Sequence, residues 1–203
     1  MGQDRADEGL ITLDLGAPVW DKFFTVAPLV LVGTSEPDGS VDLAPKHMVT
    51  PLGWDNYIGF VCTPSHGTYQ NAKRTGEFAL TFPRPGGVLA ASLASAPRCE
   101  DDEKVSLTLL ETFPGERVSA PLAAGGYLYL ECELSGIWDA FGRNSLIAGR
   151  IVAARVASDS VRRPERDDAD TVAGAPLLAY LPPGRYAEIS ASQAFPFHSG
   201  MKR

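Results

Sequence analysis

The chain is short of the residues on which most catalytic and metal chemistry depends. Three cysteines and three histidines are spread over 203 residues. Cys62, Cys99 and Cys132 are odd in number, far apart and without a Cys-x-x-Cys pair. Neither a disulfide framework nor a thiolate zinc site is expected, and a reducing compartment is. His47, His66 and His198 lack metal-ligand spacing, so no metal site is expected either. A surplus of basic residues is also missing. The formal net charge of −7 argues against nucleic acid, whose binding draws on clustered Lys and Arg. It leaves room for a small anionic cofactor, because a few local amides and one or two cations outweigh a distant charge that salt screens. No apolar run reaches membrane-spanning length, and the first residues are polar and acidic rather than basic then apolar. A membrane segment and an ordinary secretory signal are therefore not expected, and the cytoplasm is the expected location. No Gly-x-Gly-x-x-Gly follows a strand, which disfavours a Rossmann domain. Ser92 and Ser95 stand in an Ala-rich stretch without a nucleophile elbow, which leaves a serine hydrolase little support.

What is present is enough apolar material, 44% of the residues, to bury one good core in a single domain. Residues 28–190 are expected to form it, between an N-terminal extension, 1–27, and a tail, 191–203. Leu29 to Thr34 and Val41 to Leu43 flank Pro37-Asp38-Gly39, a hairpin signature. Tyr57 to Cys62 is a third strand, rich in aromatic and β-branched residues and stopped by Thr63-Pro64. A helix is predicted from Thr68, as its N-cap, to Arg74, with Gly76 as its stop before a strand over Glu77 to Phe82. Further helices are predicted over Gly86 to Ser95 and Asp101 to Leu110. Two long alternating strands, Tyr127 to Trp138 and Ser145 to Ala157, suit a barrel wall. The charged stretch from Ser158 to Thr171 reads as an exposed loop. Many strands and few short helices favour an antiparallel, mainly β barrel with helical insertions over a doubly wound sheet.

Two loops carry the candidate chemistry. In Asp42-Leu43-Ala44-Pro45-Lys46-His47-Met48, Pro45 ends a strand and removes one amide donor, while the following amides can meet the polar edge of a planar heterocycle. Equally, this is a strand end held by a proline, with Lys46 and His47 in solvent. In Thr63-Pro64-Ser65-His66-Gly67-Thr68, three hydroxyls, a glycine and a helix N-terminus suit a phosphate. The same residues also suit ordinary helix capping.

The two loops occur in a definite order: a strand, a Pro-Asp-Gly turn, Asp42-Leu43-Ala44-Pro45, a strand, Thr63-Pro64, then Thr68-Tyr69-Gln70-Asn71 and Thr75-Gly76-Glu77-Phe78. This resembles the flavin reductase-like, FMN-binding split-barrel flavoproteins over most of Pro28 to Ile189, densely in the first third and thinly beyond. The resemblance implies a split β-barrel, antiparallel and Greek-key-like, that forms a homodimer and binds FMN, or FAD, at the subunit interface. Ala44, Pro45, Lys46 and Met48 would line the isoalloxazine or ribityl chain, and Thr63, Ser65, Thr68 and Asn71 the phosphate, with His47 and Cys62 completing the set. It implies NAD(P)H as reductant and a partner oxygenase as one destination for the electrons. The cofactor would carry the chemistry, so no catalytic side chain is assigned. Two departures stand out. Asp42 replaces the family's usual Asn, and Asn144 stands where many reductases have a His near the flavin, which leaves a flavin-binding electron carrier without its own turnover as the alternative.

Overall fold

The computed structural model describes residues 9–99 and 104–200. Its strands are β1 (Ala27–Pro28), β2 (Val30–Ser35), β3 (Val41–Lys46), β4 (Val49–Pro51), β5 (Tyr57–Cys62), β6 (Glu77–Pro83), β7 (Thr112–Pro114), β8 (Pro121–Ala123), β9 (Gly126–Phe141), β10 (Asn144–Val156), β11 (Leu177–Leu181) and β12 (Arg185–Ile189). Helices α1 (Gly67–Thr75), α2 (Val88–Ala94) and α3 (Asp168–Gly174) are short. Seven strands pair in the order β3-β2-β6-β9-β10-β5-β4, every neighbour antiparallel, and the sheet curls into an open barrel. This is the mainly β, split-barrel architecture with helical insertions that the sequence suggests. A three-stranded sheet, β1-β11-β12, and the β7-β8 hairpin flank it. Among the described residues no helix is long and apolar enough to cross a membrane.

The run from Leu29 to Thr34 does not alternate because β2 is covered on both faces. Val30 and Val32 join Phe60, Phe78, Leu80 and Ile147 on one side; Leu31 joins Leu43, Ala91 and Leu178 on the other. The sheet thus separates two cores. Helix α1 packs on the first through Tyr69 and Ala72, three residues apart on one helix face. Helix α2 packs on the second through Ala91 and Ala94, again three apart. At Gly33 the backbone of β8 comes so close that a Cβ would sit 1.8 Å from the Pro121 carbonyl oxygen. Only glycine fits there.

Several local expectations need correction. Pro45 does not end its strand: β3 runs on to Lys46, which an edge strand allows because the missing amide need not pair. The helix expected over 101–110 is a 3-10 turn, Val105–Leu109, and residues 100–103 lie outside the described ones. Its β-branched Val105 and Thr108 disfavour an α-helix, while Leu107 and Leu110, three apart, pack on the α2 core. The stretch 158–171 is mostly exposed, with Thr171 buried, but is not wholly a loop, since α3 begins at Asp168. Asp167 caps it by accepting the Ala169 amide at 2.7 Å, and Asp168 and Asp170 complement its dipole. The β9-β10 hairpin is longer than the alternation indicated and turns through Gly142-Arg143, with Gly142 at φ 65°.

Glu131 on β9 is a buried carboxylate that organises a loop. It is 1% exposed and accepts the amides of Arg117 and Val118 at 2.6 and 3.2 Å, and Arg155 at 3.3 Å. Burial pushes its carboxyl up, but the amide bonds and Arg155 outweigh this and leave it below the ordinary glutamate value. A carboxylate whose folded value is depressed adds stability above the unfolded value and loses it as pH falls through the folded one. Glu131→Gln is expected to cost about 2 kcal/mol near neutral pH. The difference from the native protein should shrink below about pH 4. Urea unfolding of both proteins across that range measures it.

Candidate functional site

A cleft of about 390 Å³ opens where β3 ends beside the start of α1. One wall is Ala44, Pro45 and Lys46; the second is Ser65 to Thr68; the third is the end of α2 and the segment after it, Ala94 to Arg98, together with Lys104. The sequence brings these walls together through the β2-β3 hairpin and the short β5-α1 connection. Val41 to Lys46 pair with Ser35 to Val30, and β5 delivers the 63–67 turn, closed by the His66 amide on the Thr63 carbonyl at 3.0 Å.

The floor of the cleft is Asp42. Its side chain is 2% exposed and lies 2.8 Å from the Lys104 ammonium and 3.4 Å from the Arg98 guanidinium. Thr34 and Thr68 donate their hydroxyls to it at 3.4 and 3.3 Å. The chain of bonds continues outward: Asn71 donates to the Thr34 hydroxyl at 3.3 Å, and Arg74 donates to the Asn71 amide oxygen at 3.3 Å. Arg98 also pairs with Glu36, and Lys104 donates to the Leu43 carbonyl at 2.9 Å.

The N-terminus of α1 carries no side-chain cap. The N-cap position is His66 rather than Thr68, its imidazole makes no capping bond, and the first turn holds no acidic residue. Thr68 is drawn inward by Asp42. The Tyr69 amide turns back onto the His66 carbonyl at 3.0 Å, and the helix presents its positive end at Gly67 and Thr68 with no acidic side chain in the first turn. Gly67 keeps this end open: a Cβ there would sit 2.9 Å from the Arg98 guanidinium. Burial, Lys46 and Lys104 hold the His66 imidazole below its usual value. Cationic side chains, hydroxyls, a bare helix end and a glycine fit a phosphate-bearing ligand on the grounds of chemistry alone.

The expected site residues divide in two. Ala44, Pro45, Lys46, Ser65 and Thr68 line the cleft. His47, Met48, Cys62, Thr63 and Asn71 do not line it. His47 rings against Tyr180 of β11 at 5.0 Å, and burial followed by Lys46 keeps its imidazole below the usual value. Met48 is 48% exposed. Cys62 is 3% exposed, and burial pushes its thiol up, which suits an inert core residue. Thr63 donates to Asn144 Oδ1 at 3.1 Å, which fixes the tip of the β9-β10 hairpin beside the 63–67 turn. Asn71 is 2% exposed and faces Thr34 and Arg74. The sequence reading missed Arg98 and Lys104. Both cations lie more than fifty residues from the strand that they serve, and nothing in their own neighbourhood marks them.

A curled antiparallel sheet bearing such a cleft at a strand end defines a split-barrel protein. The family model described as "Flavin reductase like domain" matches residues 24–189. The chain belongs to this family of flavin-binding split barrels. Among solved structures it is similar to flavoredoxin of Desulfovibrio vulgaris (Miyazaki F), with a TM-score of 0.74 and 22% identity over 94% of this chain and 100% of the other. An FMN-binding protein from Thermus thermophilus gives 0.76 and 19%, covering 92% and 100%. Nitrilotriacetate monooxygenase component B from Bacillus cereus gives 0.78 and 17%, covering 92% and 98%. At these identities the likeness is one of fold.

The Asp42–Lys104 pair yields a stability prediction. Lys104→Ala leaves a buried carboxylate short of its nearest cation and should cost about 3 kcal/mol. Adding Asp42→Asn should recover most of that loss. Thermal or urea unfolding of the two single variants and the double variant closes the cycle.

Proposed function

We propose that the chain is an FMN-binding oxidoreductase that takes reducing equivalents from NADH or NADPH, with the cleft at Ala44 to Lys46 and Ser65 to Thr68 as its flavin site. The observation that carries this is the uncapped start of α1, facing Lys46, Arg98 and Lys104 across one cleft, in a chain of the flavin reductase-like family. The flavin, when bound, supplies the hydride chemistry between nicotinamide and acceptor. The chain's own residues have the simpler tasks of binding and orientation. Ser65 and the first-turn amides of α1 would hold the phosphate, with Lys104 and Arg98 behind them. Ala44 and Pro45 offer a backbone edge with one donor fewer, and Lys46 a positive charge, to the polar side of the ring system.

We place the flavin-binding unit at residues 28–190 and propose that it works as a homodimer in the cytoplasm. The dimer is supported by apolar surface that the single chain leaves open. A mostly apolar hollow of about 500 Å³ is lined by Val49, Pro51, Ile58, Leu128 and Leu130, and Trp54 at its rim is 92% exposed. A separate oxygenase is proposed as one acceptor, in keeping with the monooxygenase-component name of one structural neighbour. A second reading, an electron carrier that binds FMN without turning over nicotinamide, is favoured by Asn144. Its side chain is tied to Thr63 and offers no ionisable group.

The visible spectrum and flavin fluorescence of the purified protein, before and after FMN is added, decide the central claim. Quenching on binding is expected; unchanged fluorescence rejects it. Lys46→Ala is expected to weaken FMN about tenfold through loss of one charge near the ligand. NADH or NADPH oxidation with excess FMN then separates the two readings. Tight binding without turnover leaves the carrier.

A further inference from the structure

We infer that Asp42 weakens the cleft's hold on a dianionic ligand, so that flavin is taken up and released as an exchangeable substrate rather than kept as a resident group; this rests on the reading of the cleft as the flavin-phosphate site. The ground is the charge inventory of the lining. Lys46, Arg98 and Lys104 are its cations, and Asp42 stands among them as a carboxylate. A site built only to retain phosphate would turn all three cations toward the ligand. Here the Asp42 carboxylate lies 2.8 Å from Lys104 and 3.4 Å from Arg98, and Arg98 is shared again with Glu36. Two of the three cations already face carboxylates of the protein.

Nor can Asp42 swing clear. Thr34 and Thr68 bond it from two sides, and its side chain is 2% exposed, so its charge stays in the floor of the cleft at low local dielectric. An arriving phosphate meets the bare end of α1 and Lys46 with little opposition, and meets Arg98 and Lys104 only in competition with Asp42. Asp42 is therefore a specificity-determining residue. It lowers the share of binding free energy that comes from ligand charge and leaves ring contacts to supply the rest, which also lets a ligand leave quickly.

The test is fluorescence titration of FMN and of riboflavin, which lacks the phosphate, onto flavin-free wild type and Asp42→Asn. FMN affinity is expected to rise about tenfold in the variant, riboflavin affinity to stay constant, and the gain to shrink as salt is added. The double variant Asp42→Asn with Lys104→Gln restores the original net charge and should bring FMN affinity back toward wild type. An FMN affinity that is unchanged or lower in Asp42→Asn, or a riboflavin affinity that rises in parallel, overturns the inference. If the variant does not fold, the wild type still answers. A preference for FMN over riboflavin of no more than about tenfold, with flavin lost on gel filtration, is expected, and FMN retained at one per chain overturns it. Wild type that binds neither flavin rejects the flavin site itself, and the inference with it.

Discussion

Burying a carboxylate obliges a fold to surround it with donors, and the compensation of Asp42 is what the cleft depends on. Two hydroxyls, an ammonium and a guanidinium converge on it from β2, α1 and the segment that follows α2. The four donors come from three separate stretches of chain. The charge thereby fixes where helix, strand and return segment stand relative to one another, and the cleft is the space left above their meeting point. Thr68 shows how the constraint propagates. Its hydroxyl ties the first turn of α1 to Asp42, while the N-cap residue, His66, makes no side-chain capping bond.

The first third of the chain was legible because its signals are local. A turn with Pro37, Asp38 and Gly39, an apolar run of strand length and a glycine at Gly76 each fix a conformation within a few residues. Gly39 and Gly76 do take positive φ, 86° and 73°. The β7-β8 hairpin was not foreseen, since its three-residue strands are too short to show a period, and it is held largely by distant partners such as Thr81, whose hydroxyl accepts the Ala123 amide. α3 was hidden by its charge: Asp167, Asp168 and Asp170 look like solvated loop but act as cap and first turn.

Of the residues expected at the site, those that line the cleft are the ones whose backbone forms the loop, such as Pro45 and Ser65. Those that enter through long side chains from remote segments, Arg98 and Lys104, were invisible. Asn71 and Thr63 are the converse case, expected at the site but outside the lining of the cleft. They occur in the right motif, yet the side chains are occupied with Thr34, Arg74 and Asn144. A motif fixes residue type and spacing; which hydrogen bond a side chain makes depends on what the fold brings next to it.

The seven-stranded sheet ends at β3 on one side and β4 on the other, and each of these edge strands contains a proline, Pro45 and Pro51. A proline offers no ladder donor, so neither edge can be continued across a full register by another strand. Addition of a further strand is thereby disfavoured at both ends of the sheet. The same two residues guard both margins of an open barrel against edge-to-edge aggregation.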